Sequence, residues 1–177
     1  SPDGRELAMT ADSNPAINIT NVDVFTLALA GGAPRNLSAD NPGSDGSPLY
    51  SPDGKHLAFV QQRVPGFYDA KARLMVHNRG GATRELHADW DRSAAGLVWA
   101  RDSRKLYGAI DDAGTVRAYE LPLSGKARAI TGAGSFNALQ AGPAGLVGLR
   151  QTFVEPPTLV AIDPRSGKAR KLSTLND

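Results

Sequence analysis

An all-β fold is predicted for this chain, assembled from about four repeats of four short antiparallel strands, with the first repeat incomplete. Three observations predict it. A Ser-Pro-Asp-Gly turn recurs at an interval near 50 residues. A small-residue turn followed by a short polar-aliphatic strand recurs out of phase with it. Finally, 19 Gly and 12 Pro among 177 residues punctuate short apolar stretches and leave few long helix-forming runs.

The turn comes first. Ser1-Pro2-Asp3-Gly4 leads into Arg5-Glu6-Leu7-Ala8-Met9, and Tyr50-Ser51-Pro52-Asp53-Gly54 leads into Lys55-His56-Leu57-Ala58-Phe59. A third copy, Trp99 to Tyr107, keeps Asp102, Leu106 and Tyr107 but lacks the proline and the glycine. Asp3 and Asp53 lie 50 residues apart, and Asp53 and Asp102 lie 49 apart. A fixed period of this size marks a repeat architecture. Pro presets φ near −65°, Asp accepts a local backbone hydrogen bond, and Gly closes the turn where φ is positive. Asp3, Gly4, Pro52, Asp53, Gly54 and Asp102 are therefore read as structural turn residues. The same residue in the same place in each copy argues for a cap, not for catalysis or metal binding.

The second signature is Gly31-Gly32-Ala33-Pro34-Arg35-Asn36-Leu37-Ser38, matched at Gly80 to His87, Ser124 to Thr131 and Ser166 to Ser173. Its glycines suit the positive φ of a two-residue hairpin. Between the signatures lies a strand near Val22 to Ala30, Ala72 to Asn78, Val116 to Leu121 and Thr158 to Ile162. A short strand precedes the turn at Pro48 to Tyr50 and at Leu97 to Ala100. Phe25 to Leu29 and Leu159 to Ile162 are apolar at successive positions, which predicts sheets covered on both faces. Four strands in about 45 residues, stacked face to face, make the blade of a β-propeller. The predicted division is a partial blade over 1–38, blades over 47–87 and 94–131, and a degenerate blade over 135–173. In the last, Leu139 to Leu149 stands where the turn and second strand belong. Thr10 to Asn21 reads as a polar insertion, and Asn41 to Ser47 and Ala88 to Ala95 as blade-to-blade connections.

Composition excludes several functions. Without cysteine there is no disulfide and no Cys-ligated zinc. Net charge is +2, and no Lys/Arg run tracks a phosphate backbone, so nucleic acid is not an expected partner. No apolar run approaches the roughly 18 residues of a membrane helix. Starting within the repeat, without methionine or signal peptide, the chain reads as a fragment of a longer protein. The compartment stays open; bacterial periplasm and cytoplasm both fit. No Gly-x-Ser-x-Gly elbow is present. His56, His77 and His87 have no metal-ligand spacing, Asp111-Asp112-Ala113-Gly114 reads as a hairpin turn, and no phosphate or calcium loop occurs. No catalytic residue, metal ligand or cofactor site is assigned. The loop aromatics Phe67 and Tyr68, and Trp90 in the polar run Asp89 to Arg92, are candidates for a substrate- or partner-facing surface.

Tyr50-Ser51-Pro52-Asp53-Gly54-Lys55-x-Leu57-Ala58-Phe59, then a strand, then Gly-Gly-x-x-Arg-x-Leu, resembles the TolB-type (WD40-like) propeller repeat. That repeat also forms the N-terminal propeller of prolyl oligopeptidase family (S9) serine peptidases, dipeptidyl aminopeptidases and acylaminoacyl peptidases among them. The likeness is strong to about residue 131 and weaker after it. Blade lengths of 49, 44 and 42 residues, the Thr10 to Asn21 insertion and the worn last blade are similar to the peptidase group. The resemblance implies a non-catalytic cap that gates short peptides into an α/β-hydrolase domain carrying a Ser-Asp-His triad. It implies that domain and the peptide substrate as partners, and no triad residue falls within this chain. The other implied reading is a TolB-like protein-binding module. An open run of blades with an incomplete first edge is also expected to self-associate.

Overall fold

The computed structural model describes residues 1–16, 19 and 21–174, and no helix occurs among them. Among the described residues fifteen strands form four antiparallel sheets, each a meander of neighbours in sequence. The chain divides into two units, Ser1–Ala88 and Asp89–Asp177.

The first unit holds two sheets. One has three strands, β1 (Glu6–Asp12), β2 (Val22–Ala28) and β3 (Arg35–Asn36). The other has four, β4 (Asp45–Tyr50), β5 (His56–Gln61), β6 (Arg73–Asn78) and β7 (Thr83–Leu86). The second unit holds β8 (Val98–Trp99), β9 (Lys105–Asp112), β10 (Thr115–Pro122) and β11 (Arg128–Ala129), then β12 (Ser135–Gly142), β13 (Gly145–Gln151), β14 (Thr158–Ile162) and β15 (Ala169–Lys171).

The middle strands supply the core. Leu57, Ala58 and Phe59 are successive in β5 and all fully buried, so both faces of that strand are covered. Val24, Leu57, Phe59 and Met75 form the core of the first unit. In the second, Tyr107, Ala118, Phe136, Leu146, Val160 and Ile162 are part of one cluster. The expectation of two covered faces fails for the first and fourth sheets. Leu29 is exposed because it lies past the end of β2, in the turn that follows, and Leu159 in β14 is 39% exposed.

The fourth sheet has four strands, and Leu139 to Leu149 supplies its turn and second strand: Leu139 to Gly142 end β12, Pro143-Ala144 form a tight turn in place of the aspartate turn, and Gly145 to Leu149 lie in β13. One local expectation is corrected: the Gly-Gly hairpin is longer than two residues. Asn78 N–H donates to Ala82 O at 3.0 Å, enclosing residues 79–81, with Gly80 at φ 77°.

One feature escaped the sequence. The first strands of the second and fourth sheets bulge between Gly46 and Leu49 and between Asn137 and Gln140. Ser47 and Ala138 sit there in the left-handed region, at φ 53° and 51°, and Gly96 holds the same repeat position in the third sheet at φ 55°. Small residues at these places are the only sequence trace.

Candidate functional site

The turn aspartates occupy one geometry three times. Asp53 Oδ1 accepts from Ser51 Oγ–H at 2.6 Å and from Lys55 N–H at 3.0 Å. Asp3 Oδ1 accepts from Ser1 Oγ–H at 2.6 Å and from Arg5 N–H at 3.2 Å. Asp102 Oδ1 accepts from Arg104 N–H at 3.0 Å. Gly4 and Gly54 lie at φ 65° and 70°, and Ser103 takes that conformation at 58° where the glycine is missing. The hydrogen bonds from Ser1 and then Arg5 hold the Asp3 carboxyl well below the usual carboxylate range. A carboxylate fixed in its charged form by local donors is a cap and a poor proton donor or acceptor.

Asp112 sits at the end of β9, one residue before a tight turn, as expected, but it does more than close a hairpin. It accepts from Tyr119 Oη–H at 2.7 Å, Arg117 Nη1–H at 3.0 Å and, on its other oxygen, Arg92 Nη2–H at 3.0 Å. The Tyr119 hydroxyl, then Arg92, keeps its carboxyl below the ordinary value. The Trp90 ring lies 5.3 Å from that of Tyr119, tilted by 50°. Sequence reading placed Trp90 and Arg92 in a surface connection; the structure ties both to the third sheet. The aromatic and arginine spacing of 90–92 was the available signal.

Two of the histidines are engaged in sheet contacts. His56 Nδ1 lies 2.8 Å from Asn78 Oδ1, and His77 Nδ1 lies 3.0 Å from Thr83 Oγ1. Burial, reinforced by the charge of Arg35, lowers the His77 pKa. Among the described residues no three His, Cys, Asp or Glu side chains gather to hold a metal ion.

Exposed aromatics lie in the connections between second and third strands. Phe67 is 56% exposed and Tyr68 82%, in a loop held at its base by Gln62, whose Nε2 donates to the carbonyls of Tyr68 and Ala70 at 2.8 and 2.7 Å. The corresponding connection of the fourth sheet presents Phe153, fully exposed, and Val154. Thr152 Oγ1 accepts from Val154 N–H at 3.3 Å and Glu155 N–H at 3.0 Å, which stiffens that tip. Phe153 was not singled out from sequence, although Phe-Val-Glu-Pro-Pro in a strand connection is a sufficient signal.

Two clefts stand at sheet junctions. One of about 570 Å³ in the second unit is lined by Arg101, Lys105, Tyr107, Glu120, Asp163 and Arg165, among others. One of about 400 Å³ in the first unit is lined by Asn41, Phe59, Gln61 and Met75, among others. Near the latter is a buried polar group. Asp23 accepts from Asn36 Nδ2 at 2.7 Å and from Ser38 Oγ at 3.4 Å. Asp45 Oδ2 accepts from Asn41 Nδ2 at 3.0 Å, while its Oδ1 accepts none. Burial pushes the Asp45 carboxyl up to about 6, with Asp23 adding to the effect and Asn41, Ser38 and Gln61 opposing it.

These features are turn caps, a paired carboxylate, exposed loop tips and clefts between strands. They describe a repeat scaffold with loops, and known proteins show the same scaffold. No protein-family model matches the chain. A dipeptidyl-peptidase 5 of Porphyromonas gingivalis is 26% identical over 182 residues, covering 99% of this chain and 27% of that protein. A dipeptidyl-peptidase 5 of Aspergillus oryzae is 32% identical over 136 residues, covering 69% of this chain and 18% of that one. The chain thus spans about a quarter or less of these relatives' lengths. Among solved structures, an acylaminoacyl peptidase from Pyrococcus horikoshii superposes with TM-score 0.77 at 19% identity, over 98% of this chain and 26% of that one. A protein described as a TolB from Agrobacterium tumefaciens gives 0.69 at 18% identity, over 98% and 62%.

The chain is an all-β partial β-propeller, with each sheet a blade. In fold its repeats are like those of the TolB protein and the peptidase propellers just described.

Proposed function

We propose that the chain is a non-catalytic propeller segment that caps the α/β-hydrolase domain of a serine peptidase in the same polypeptide and gates access of short peptides to it. The observation that carries this reading is the match of 99% of the chain to 27% of a dipeptidyl-peptidase 5. The polar groups support it. Asp3, Asp53 and Asp112 are held charged by local donors, which suits a scaffold better than an acid-base site. The physical basis of gating is exclusion, since a folded protein is too wide for a narrow channel or side opening between blades. On this reading Phe67 and Tyr68 are substrate- or partner-facing.

The likeness to the TolB structure favours a second reading, a protein-binding propeller module. The coding sequence beyond Asp177 separates the two. The peptidase reading expects Gly-x-Ser-x-Gly followed by Asp and then His. A reading frame that completes one or two further blades and stops overturns it.

A further inference from the structure

A groove beside the aspartate turn is found in both units, filled in the first and open in the second. In the first unit it lies between the first two sheets and keeps about 70 Å³. Two side chains of the second sheet reach across it to Glu6 of the first. The Tyr50 hydroxyl donates to Glu6 Oε1, and Arg79 Nε lies 3.2 Å from the same oxygen. The Arg79 guanidinium also stands over the Tyr50 ring, 5.5 Å from its centroid. In the second unit the groove between the third and fourth sheets holds about 570 Å³.

The repeat register gives the cause. Tyr50↔Leu57 is matched by Ala141↔Leu146, so a methyl group replaces the ring. Val76↔Arg84 is matched by Ala161↔Arg170, which puts Pro164 in the place of Arg79. Tyr107 is larger than Ala8 at the same repeat position, yet it leaves the groove open.

The charge of the lining changes with the space. Arg101 stands where the first turn has Pro2, and Arg165 follows Pro164 as Gly80 follows Arg79. Both arginines are exposed, and neither guanidinium forms an ion pair among the described residues. The carboxylates of the lining already have donors. Asp102 Oδ1 accepts from Arg104 N–H at 3.0 Å, and Glu120 Oε2 from Lys105 Nζ–H at 2.9 Å. Asp163 accepts from Arg165 N–H at 2.9 Å and Ser166 Oγ–H at 2.6 Å. The groove that lost its aromatic filling thus gained two guanidinium forks, whose geometry matches a carboxylate.

We propose that the groove between the third and fourth sheets binds an aromatic carboxylate, with its ring in the space that Tyr50 fills in the first unit and its anion on Arg101 and Arg165. Ring burial against Tyr107, Ala141 and Pro164 supplies affinity, and the two arginines select the charged form. All these residues belong to the second unit, and the assignment does not rest on the peptidase reading.

Calorimetric titration of the whole chain with hydrocinnamate, its amide and acetate tests the site. Hydrocinnamate is expected to bind about tenfold or more tightly than its amide, the scale of one charge-assisted hydrogen bond. Acetate, which has the charge without the ring, is expected to be weaker by about tenfold or more. Arg101→Ala combined with Arg165→Ala, both at exposed positions, is expected to weaken the acid about tenfold and leave the amide unchanged. Equal binding of acid and amide, equal binding of acetate and hydrocinnamate, or full affinity in the double variant overturns the proposal, as does the absence of saturable binding. The peptide Ala-Ala-Phe with a free carboxylate separates two sources of the same chemistry. Tighter binding than hydrocinnamate supports the proposal with a peptide end as ligand, and weaker binding supports it with a free aromatic acid.

Discussion

Replacing Asp45 by Asn tests the electrostatics of the first unit. The carboxyl is 4% exposed and titrates near 6 in the folded chain, against 3.8 for an unperturbed aspartate. The folded state thus binds this proton more tightly than the unfolded state does. Stability from that proton is complete at low pH and is lost as pH rises from about 3.8 through about 6. At pH 8 the ionised group costs about 3 kcal/mol, and at pH 4 only about 0.5. Asparagine does not titrate, so this pH-dependent penalty disappears. Its Oδ1 can keep the bond from Asn41 Nδ2, but its new amide donors replace an oxygen that accepts no hydrogen bond. Leaving those donors unpaired would cost about 1–3 kcal/mol at every pH. The absolute sign at one pH therefore decides little. The change in the variant-minus-wild-type difference between pH 4 and pH 8 isolates the carboxyl, because the other groups cancel. That difference is expected to move in the variant's favour by about 2–3 kcal/mol. Urea unfolding at unit intervals of pH measures it. A difference flat to within about 0.5 kcal/mol would show that Asp45 is ionised as easily folded as unfolded, and the burial argument would fail.

Other outcomes follow from packing and backbone geometry. Phe59→Ala opens a cavity at a fully buried position and is expected to cost about 3–5 kcal/mol, whereas Phe153→Ala, at a fully exposed tip, should stay within about 0.5 kcal/mol in the same denaturation assay. Gly54→Ala should cost about 1 kcal/mol, because φ is 70° while the space for a Cβ is adequate. Asp112→Ala should speed proteolytic cleavage after Arg92, since Arg92 loses its bond to the end of β9; an unchanged cleavage rate would place the anchoring of that connection elsewhere.

The repeat period and the turn chemistry were readable because they are local. Pro52, Asp53 and Gly54 satisfy their backbone demands within a few residues, so composition at fixed spacing was enough to predict an all-β repeat and the role of each cap. The middle strands were readable for the same reason, as short apolar runs between breakers. Burial of Leu29 and Leu159 was misjudged because an apolar run does not show where its strand stops, as at Leu29 just past β2, nor which of its faces is covered, as at Leu159. The Asp112 cluster joins Arg92, Arg117 and Tyr119 from three segments, and the Asp45 pKa is set by desolvation; neither has a spacing to detect. Sequence by itself determined the repeated unit, because turns and alternation act over a few residues. Tertiary structure alone decided which faces are covered and which carboxyls are paired, because those depend on contacts between segments far apart in the chain.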